Sequence, residues 1–350
     1  MRILKNMVFY IGKWVGGFWL ARKVTKSSLR ILCYHGFELE NEASFRPKLF
    51  IRKDTFLRRL EALRQCQFSV MPLGEAIKKM KAKSLPDRAV VITIDDGFFG
   101  VLSCATPLLR QYGFPATVYI TTYYSQKEVP VFRLAVQYIF WRTSLTHAEI
   151  GVILGKDWGT VNLANSEEKQ RVEWSLIQFG ETKCTEAERQ ELCRKLGLLL
   201  QVDYAFVVKN RILSLLSPSE IASLDQYGID VQLHTHRHQF PEQDETLAKK
   251  EIQENRAALQ SIVRRPLNHF CYPSGIYSPN QWKWLSDLGI ESATTCEVGL
   301  NQETTHPLGL KRFLDGENIS QIEFEAEISG FADLLRSLFG KTSKANMVNS

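Results

Sequence analysis

The sequence predicts an α/β fold with a mainly parallel sheet, and three observations carry that prediction. Short apolar runs of strand type recur at residues 30–34, 89–94, 116–120, 230–233 and 269–272. Amphipathic stretches of helical period are interleaved with them, at 55–65, 74–81 and 246–263. Such alternation is what β-strands joined by covering helices produce. Finally, the two densest groups of polar chemistry fall at the carboxyl ends of strand-like runs, where α/β folds place their sites. A chain of 350 residues, 44% hydrophobic and 23% charged, readily buries a core of this kind.

Residues 1–28 stand apart in charge. Residues 1–30 carry seven of the 44 basic residues and no acidic one, leaving 37 basic against 38 acidic in the remainder. A nucleic-acid-binding protein would spread its basic residues over the fold, so no nucleic acid partner is expected. On a helix Leu4, Met7, Val8, Ile11, Trp14, Val15 and Phe18 share one face, with Lys5, Asn6, Gly12 and Lys13 opposite. Residues 7–21 are too short and too interrupted to span a bilayer, but the tryptophans and flanking cations suit its interface. The segment is therefore expected to be an interfacial amphipathic helix giving peripheral membrane contact. A signal peptide fits poorly, because Lys13 breaks the apolar stretch and Trp19-Leu-Ala21 is a poor cleavage site. A helix docked on the fold is the other reading.

The strand 89–94 runs directly into Asp95-Asp96-Gly97. Alone, this is a turn signal. The run 229–233 ends in His234-Thr-His236-Arg-His238, three of the chain's seven histidines within five residues. A carboxylate and two neutral imidazoles hold a divalent metal with an open position for water, and a second carboxylate can act as the base. If the segment is extended, all three histidines share a side; if it is helical, His234 and His238 do. The pattern alone leaves both geometries open. Between the two motifs, residues 126–216 read as a helical insertion, with Thr185-Glu-Ala-Glu188 and Ser217-Pro-Ser-Glu220 as capping boxes. Loops above the active face of a barrel shape its pocket, so a lid is one expectation for this insertion.

Thr93-Ile-Asp95-Asp96-Gly97 and His234-Thr-His236-Arg-His238 resemble the Thr-Phe-Asp-Asp-Gly and His-(Ser/Thr)-x-x-His motifs of the polysaccharide deacetylase superfamily (carbohydrate esterase family 4, nodulation-type). Phe270-Cys-Tyr-Pro273-Ser-Gly275 resembles its groove loop, and Leu29-Arg-Ile-Leu-Cys-Tyr34-His35-Gly36 is similar to the Tyr-His first strand of a circularly rearranged branch. The resemblance covers about residues 29–315 and implies a deformed (β/α) barrel. It implies that Asp96, His234 and His238 bind a divalent metal, zinc before cobalt, nickel, manganese or iron, and that Asp95 is the general base. By the same likeness His35 is the general acid and the Ser274 N–H stabilises an oxyanion. The arginine that orients the base in many relatives is absent from the groove loop, where Cys271 stands. Arg312 is the candidate to supply it from another strand.

The implied activity is metal-dependent removal of N-acetyl groups from a sugar of a surface polysaccharide or its lipid-linked precursor, an N-acetylated glycan or glycolipid. Two other readings are an amidohydrolase that uses His234 and His236, and a degenerate member that binds glycans without turning them over. Seven scattered cysteines with no Cys-x-x-Cys pair argue for a reducing compartment. This places the protein at the cytoplasmic face of a membrane, with a periplasmic or exported location as the alternative. After Asp315 a helix is expected near 330–339, followed by a disordered tail at 340–350.

Overall fold

The computed structural model describes residues 2–339, so the tail expected at 340–350 lies outside them. The chain forms two compact units, one made of Met1–Gln126 and Leu216–Ser350 and the other of Lys127–Leu215.

The larger unit opens with α1 (Arg2–Trp14) and α2 (Gly17–Val24). The single helix expected here is broken at Gly16, whose backbone turns left-handed (φ 80°). The consequence is a different arrangement of side chains. Phe18 leaves the apolar stripe of α1 and is buried, together with Phe9, against residues of the last two helices.

The sheet follows. β1 (Arg30–Tyr34) leads to α3 (Lys53–Gln65), β2 (Ser69–Val70), β3 (Ala89–Ile94) and β4 (Ala116–Ile120). After the smaller unit come β5 (Ile229–Leu233), the helix Glu245–Gln260, then β6 (His269–Cys271), β7 (Ser292–Thr294) and β8 (Phe313–Leu314). The strand order is β7-β6-β5-β4-β3-β1-β8, with β2 beside the start of β3, and every pair is parallel. Parallel strands need covering helices, so they read as near-continuous apolar runs. β3 and β4 are buried at every position, which is why both were plain in the sequence.

The sheet curls towards closure. Thr294, at the end of β7, forms a parallel bridge with Leu310, just before β8. Leu310 donates its N–H to Ala293 and accepts from Thr295. This brings the first and last strands of the order together and gives the deformed barrel that the sequence predicts. The core beneath includes Leu32, Ile92, Val118, Val231 and Phe270 from the strands, with Phe56, Leu60, Ile252 and Leu259 from the helices.

The smaller unit is mainly helical, with α4 (Phe132–Arg142), α5 (Ser166–Lys183) and α6 (Glu186–Leu199). Both anticipated capping boxes form, at Thr185–Glu188 within this unit and at Ser217–Glu220 just after it. One feature departs from the helical insertion expected over 126–216: His147–Ala148 pairs antiparallel with Val161–Asn162. Two-residue strands leave too little alternation to be read from sequence. In the larger unit α7 is the Glu245–Gln260 helix, and the last described helices are α8 (Gln321–Ser329) and α9 (Phe331–Leu338).

Candidate metal and hydrolase centre

Asp95 leaves the end of β3 still paired, its N–H donating to the Tyr34 carbonyl at 2.8 Å. The next two residues reverse the chain in left-handed conformation, Asp96 at φ 68° and Gly97 at φ 83°. Gly97 is the one position here that needs glycine twice over. Besides its φ, an added Cβ would fall 2.4 Å from Ile120 Cδ1. The turn splits the two carboxylates in direction, which a continuing strand would also do but without letting the chain leave the sheet.

Asp95 is buried and held on both oxygens. Arg312, also fully buried, donates from one terminal nitrogen to Oδ1 at 2.7 Å and from the other to Oδ2 at 2.8 Å. That fork is fixed in turn: Arg312 Nε donates to the Thr295 carbonyl at 2.9 Å, and a terminal nitrogen reaches Thr93 Oγ1 at 3.2 Å. The Cys33 and Cys271 thiols donate to Asp95 Oδ2 at 3.4 and 3.3 Å. Burial pushes the Cys33 thiol well up, which keeps its proton in place. Burial also works against an ionised Asp95, but the charge and hydrogen bonds of Arg312, together with the charges of His35 and His234, hold the carboxyl well below the usual range. His35, which follows β1, brings Nε2 to 3.8 Å from Asp95 Oδ2.

Asp96 faces the histidines. His234 Nε2 lies 3.2 Å and His238 Nε2 3.5 Å from Asp96 Oδ1. His234 Nδ1 is 2.8 Å from the Cys271 carbonyl, which can only accept, so Nδ1 carries the ring proton of the neutral imidazole. Its Nε2 therefore turns a lone pair towards Asp96 Oδ1, a buried oxygen with no hydrogen-bond partner among the described residues. Burial works to raise the Asp96 carboxyl, yet His234, His238 and His35 hold it down to about 2, so it is ionised at neutral pH. Two imidazole nitrogens and an ionised oxygen converge, a donor set that could hold a divalent cation. Zinc ligands at about 2.0–2.1 Å in tetrahedral array stand roughly 3.3 Å apart, which these separations match.

The backbone decides which histidines take part. Thr235 (φ 65°) and His238 (φ 57°) are left-handed, so the segment is neither a strand nor a helix. The His234 and His238 rings come within 4.9 Å. His236 points elsewhere, its Nδ1 2.8 Å from Thr122 Oγ1 and its ring on Tyr123. Ser274 stands three residues past Cys271 with φ 56°, and Cys271 itself touches both Asp95 and His234.

The sequence reading missed the residues that hold this loop. Asn255 on α7 accepts from the His234 N–H at 3.0 Å and donates to the Ile120 carbonyl and Thr122 Oγ1 at 2.9 and 3.1 Å. Glu251, one turn earlier, accepts from the Arg237 N–H and guanidinium, both at 2.7 Å. A signal was available. Glu251 and Asn255 interrupt the buried face formed by Ala248, Ile252 and Leu259, and a polar residue on such a stripe needs a partner. The two thiols on Asp95 carried no comparable signal, since buried cysteine is ordinary core.

The comparisons agree with this architecture. Residues 201–293 match the sequence profile of the family described as polysaccharide deacetylase. That matched stretch bears the histidine motif. No curated protein matches the chain as a whole sequence. Among solved structures, the chain is similar to the Streptococcus pyogenes deacetylase PplD in complex with acetate, at 16% identity and TM-score 0.57, covering 87% of this chain and 99% of that one. It is also similar to IcaB from Ammonifex degensii, at 18% identity and TM-score 0.54, covering 86% and 97%. BC0361, a polysaccharide deacetylase from Bacillus cereus, shares 14% identity at TM-score 0.52 over 87% of this chain and 69% of its own. At such identities the likeness is one of fold, and that fold is the deacetylase (β/α) barrel.

Proposed function

We propose that this chain is a metal-dependent hydrolase that removes N-acetyl groups from a sugar of a surface polysaccharide or its lipid-linked precursor. The observation that carries the reading is the convergence of His234 Nε2 and His238 Nε2 on the unpartnered Asp96 Oδ1, beside a second carboxylate that Arg312 holds apart. Asp96, His234 and His238 would hold the ion, zinc or another divalent metal. When bound it supplies Lewis-acid polarisation and lowers the pKa of water from about 15.7 to about 7. Asp95 accepts the proton as general base. Its pairing with Arg312 sacrifices base strength for orientation, which is tolerable where the acid to be deprotonated is itself activated. His35, whose Nε2 lies 3.8 Å from Asp95 Oδ2, would pass a proton to the leaving amine. The Ser274 N–H is assigned the developing oxyanion.

Elemental analysis tests the foundation without choosing a substrate. Wild type should retain about one divalent ion per chain, and Asp96→Ala should lose it. Acetate release from N-acetylglucosamine oligomers should then be abolished in Asp95→Asn while metal is retained. Wild type that stays metal-free after reconstitution at neutral pH would remove the hydrolase reading. Glycan binding without acetate release by the metal-loaded protein would leave a glycan-binding role in its place.

A further inference from the structure

The first two helices are turned the wrong way for a helix that serves only to cover a fold. An amphipathic helix on a soluble body faces its apolar stripe inward and its charges outward. On α1 the inward line is Lys5, Phe9 and Gly12: Lys5 pairs with Glu323, Lys13 pairs with Glu325, Asn6 accepts from Ser320, and the Phe331 ring lies against Gly12. The outward face is apolar. Ile3, Leu4, Ile11, Trp14, Val15 and Trp19 are all exposed, Trp14 at 88%. The burial of Phe9 against α8 and α9 and the Phe331 ring on Gly12 set the rotation of α1, which leaves this face outward. An exposed patch of this extent marks an interaction surface.

Charge identifies the occupant. The segment has no acidic residue, and the two nearest carboxylates on α8 are already paired with Lys5 and Lys13. Beside the outward face of α2 lies a shallow depression of about 510 Å³ lined by Trp19, Arg22, Lys23, Lys26, Asp87 and Arg88, in which Lys26 Nζ meets the one carboxylate, Asp87, at 3.5 Å while both side chains stay exposed. Lys23 stands over the Trp19 ring at 3.8 Å, an amphipathic pairing suited to a water–lipid boundary. A second copy of this chain would bring like charge against like charge. An anionic bilayer meets both halves of the surface, acyl chains against the apolar face and phosphate groups against the basic rim. Among the described residues no helix is long and apolar enough to cross a membrane, so the fit is to lying on one.

We propose that α1 and α2 are a membrane-seating surface, whose outward apolar face enters the headgroup boundary of an anionic bilayer while Arg22, Lys23, Lys26 and Arg88 take lipid phosphates. This stands apart from the proposed chemistry, because none of these residues touches Asp95, Asp96 or the histidines.

The test uses the full chain and vesicles of phosphatidylcholine with or without phosphatidylglycerol. Sedimentation with the anionic vesicles is expected, weak with pure phosphatidylcholine and weakened by salt. The double variant Ile11→Glu/Trp14→Glu should reduce binding by at least about tenfold. Both side chains are exposed, so its thermal unfolding and metal content should match wild type. Lys23→Glu/Lys26→Glu should remove the preference for anionic lipid. Folded wild type that does not sediment with anionic vesicles overturns the proposal, as does sedimentation that Ile11→Glu/Trp14→Glu leaves unchanged. A wild-type dimer that this variant dissociates, with vesicle binding at background throughout, would assign the face to a second copy instead. Metal content and acetate release report separately on the active-site reading.

Discussion

At the scale of single residues, the arrangement turns on one buried fork, Arg312 on Asp95. Removing Arg312 leaves a carboxylate enclosed with two thiols and no cation, and breaking a buried pair from one side typically costs about 3–5 kcal/mol. Arg312→Ala should lower acetate release by about 10–100-fold, the range for losing a partner that orients a site group. Its metal content should equal wild type, because Arg312 does not touch Asp96 or the histidines. Arg312→Lys should rescue little, since a point charge cannot reproduce two parallel bonds. The pH profile adds a sign. Without Arg312, only the neighbouring His35 and His234 offset the effect of burial and the Asp95 carboxyl rises, so the acid limb of kcat/KM should move to higher pH. Turnover that survives Arg312→Ala intact would reduce the residue to a structural part. The arginine was found in sequence only because a resemblance left a place for one. Nothing in Leu310-Lys-Arg-Phe-Leu-Asp315 by itself separates a buried guanidinium from a surface one.

At the scale of elements, the strands legible in sequence are those buried on both faces, β3 and β4 above all, and the legible helix starts are those with a reciprocal cap. What escaped notice was short or supportive: β2, β7 and β8, each three residues or fewer, and the polar side of α7 that holds the histidine loop. Asn255 joins three partners from two strand ends, so Asn255→Leu leaves buried groups unpaired and should cost roughly 3 kcal/mol. Metal affinity should fall about 10–100-fold as the His234 backbone loses its anchor. Competition with a chelating dye measures this, and unchanged affinity would mean that β5 alone positions His234. β6 carries a different consequence. His269, at its start, is buried against Ser292 Oγ at 2.8 Å, and burial pushes its imidazole down to about 4 from 6.5. Folded chains therefore refuse a proton that unfolded chains accept. The stability held above pH 6.5 is lost as pH falls towards about 4, by about 3 kcal/mol in all. Tm measured across that window should drop in wild type and drop less in His269→Gln.

At the scale of the whole larger unit, the site exists only when the sheet curls far enough to bring its last strand home. Asp95 and Arg312 are 217 positions apart, and the segment between them contains the smaller unit and four strands. The sequence made the parallel pairing legible through apolar runs, but closure rests on contacts that no local pattern announces. One is the bridge of Thr294 to Leu310. Another is Arg59 on α3, which donates from Nε to Asp315 Oδ2 at 2.9 Å and from a terminal nitrogen to the Ile319 carbonyl at 2.7 Å. Both side chains of the pair are buried, and Asp315 lies one residue past β8, the strand entered through Arg312. Arg59→Ala should therefore destabilise by about 3–5 kcal/mol, read as a lowered urea midpoint with little change in slope. The double variant Arg59→Met/Asp315→Leu should recover much of that loss, because no unpaired charge remains enclosed. Acetate release per folded molecule should fall less in Arg59→Ala than in Arg312→Ala, since Arg59 acts on the strand and Arg312 on the carboxylate. Equal losses would place closure of the sheet, rather than the fork on Asp95, in control of turnover.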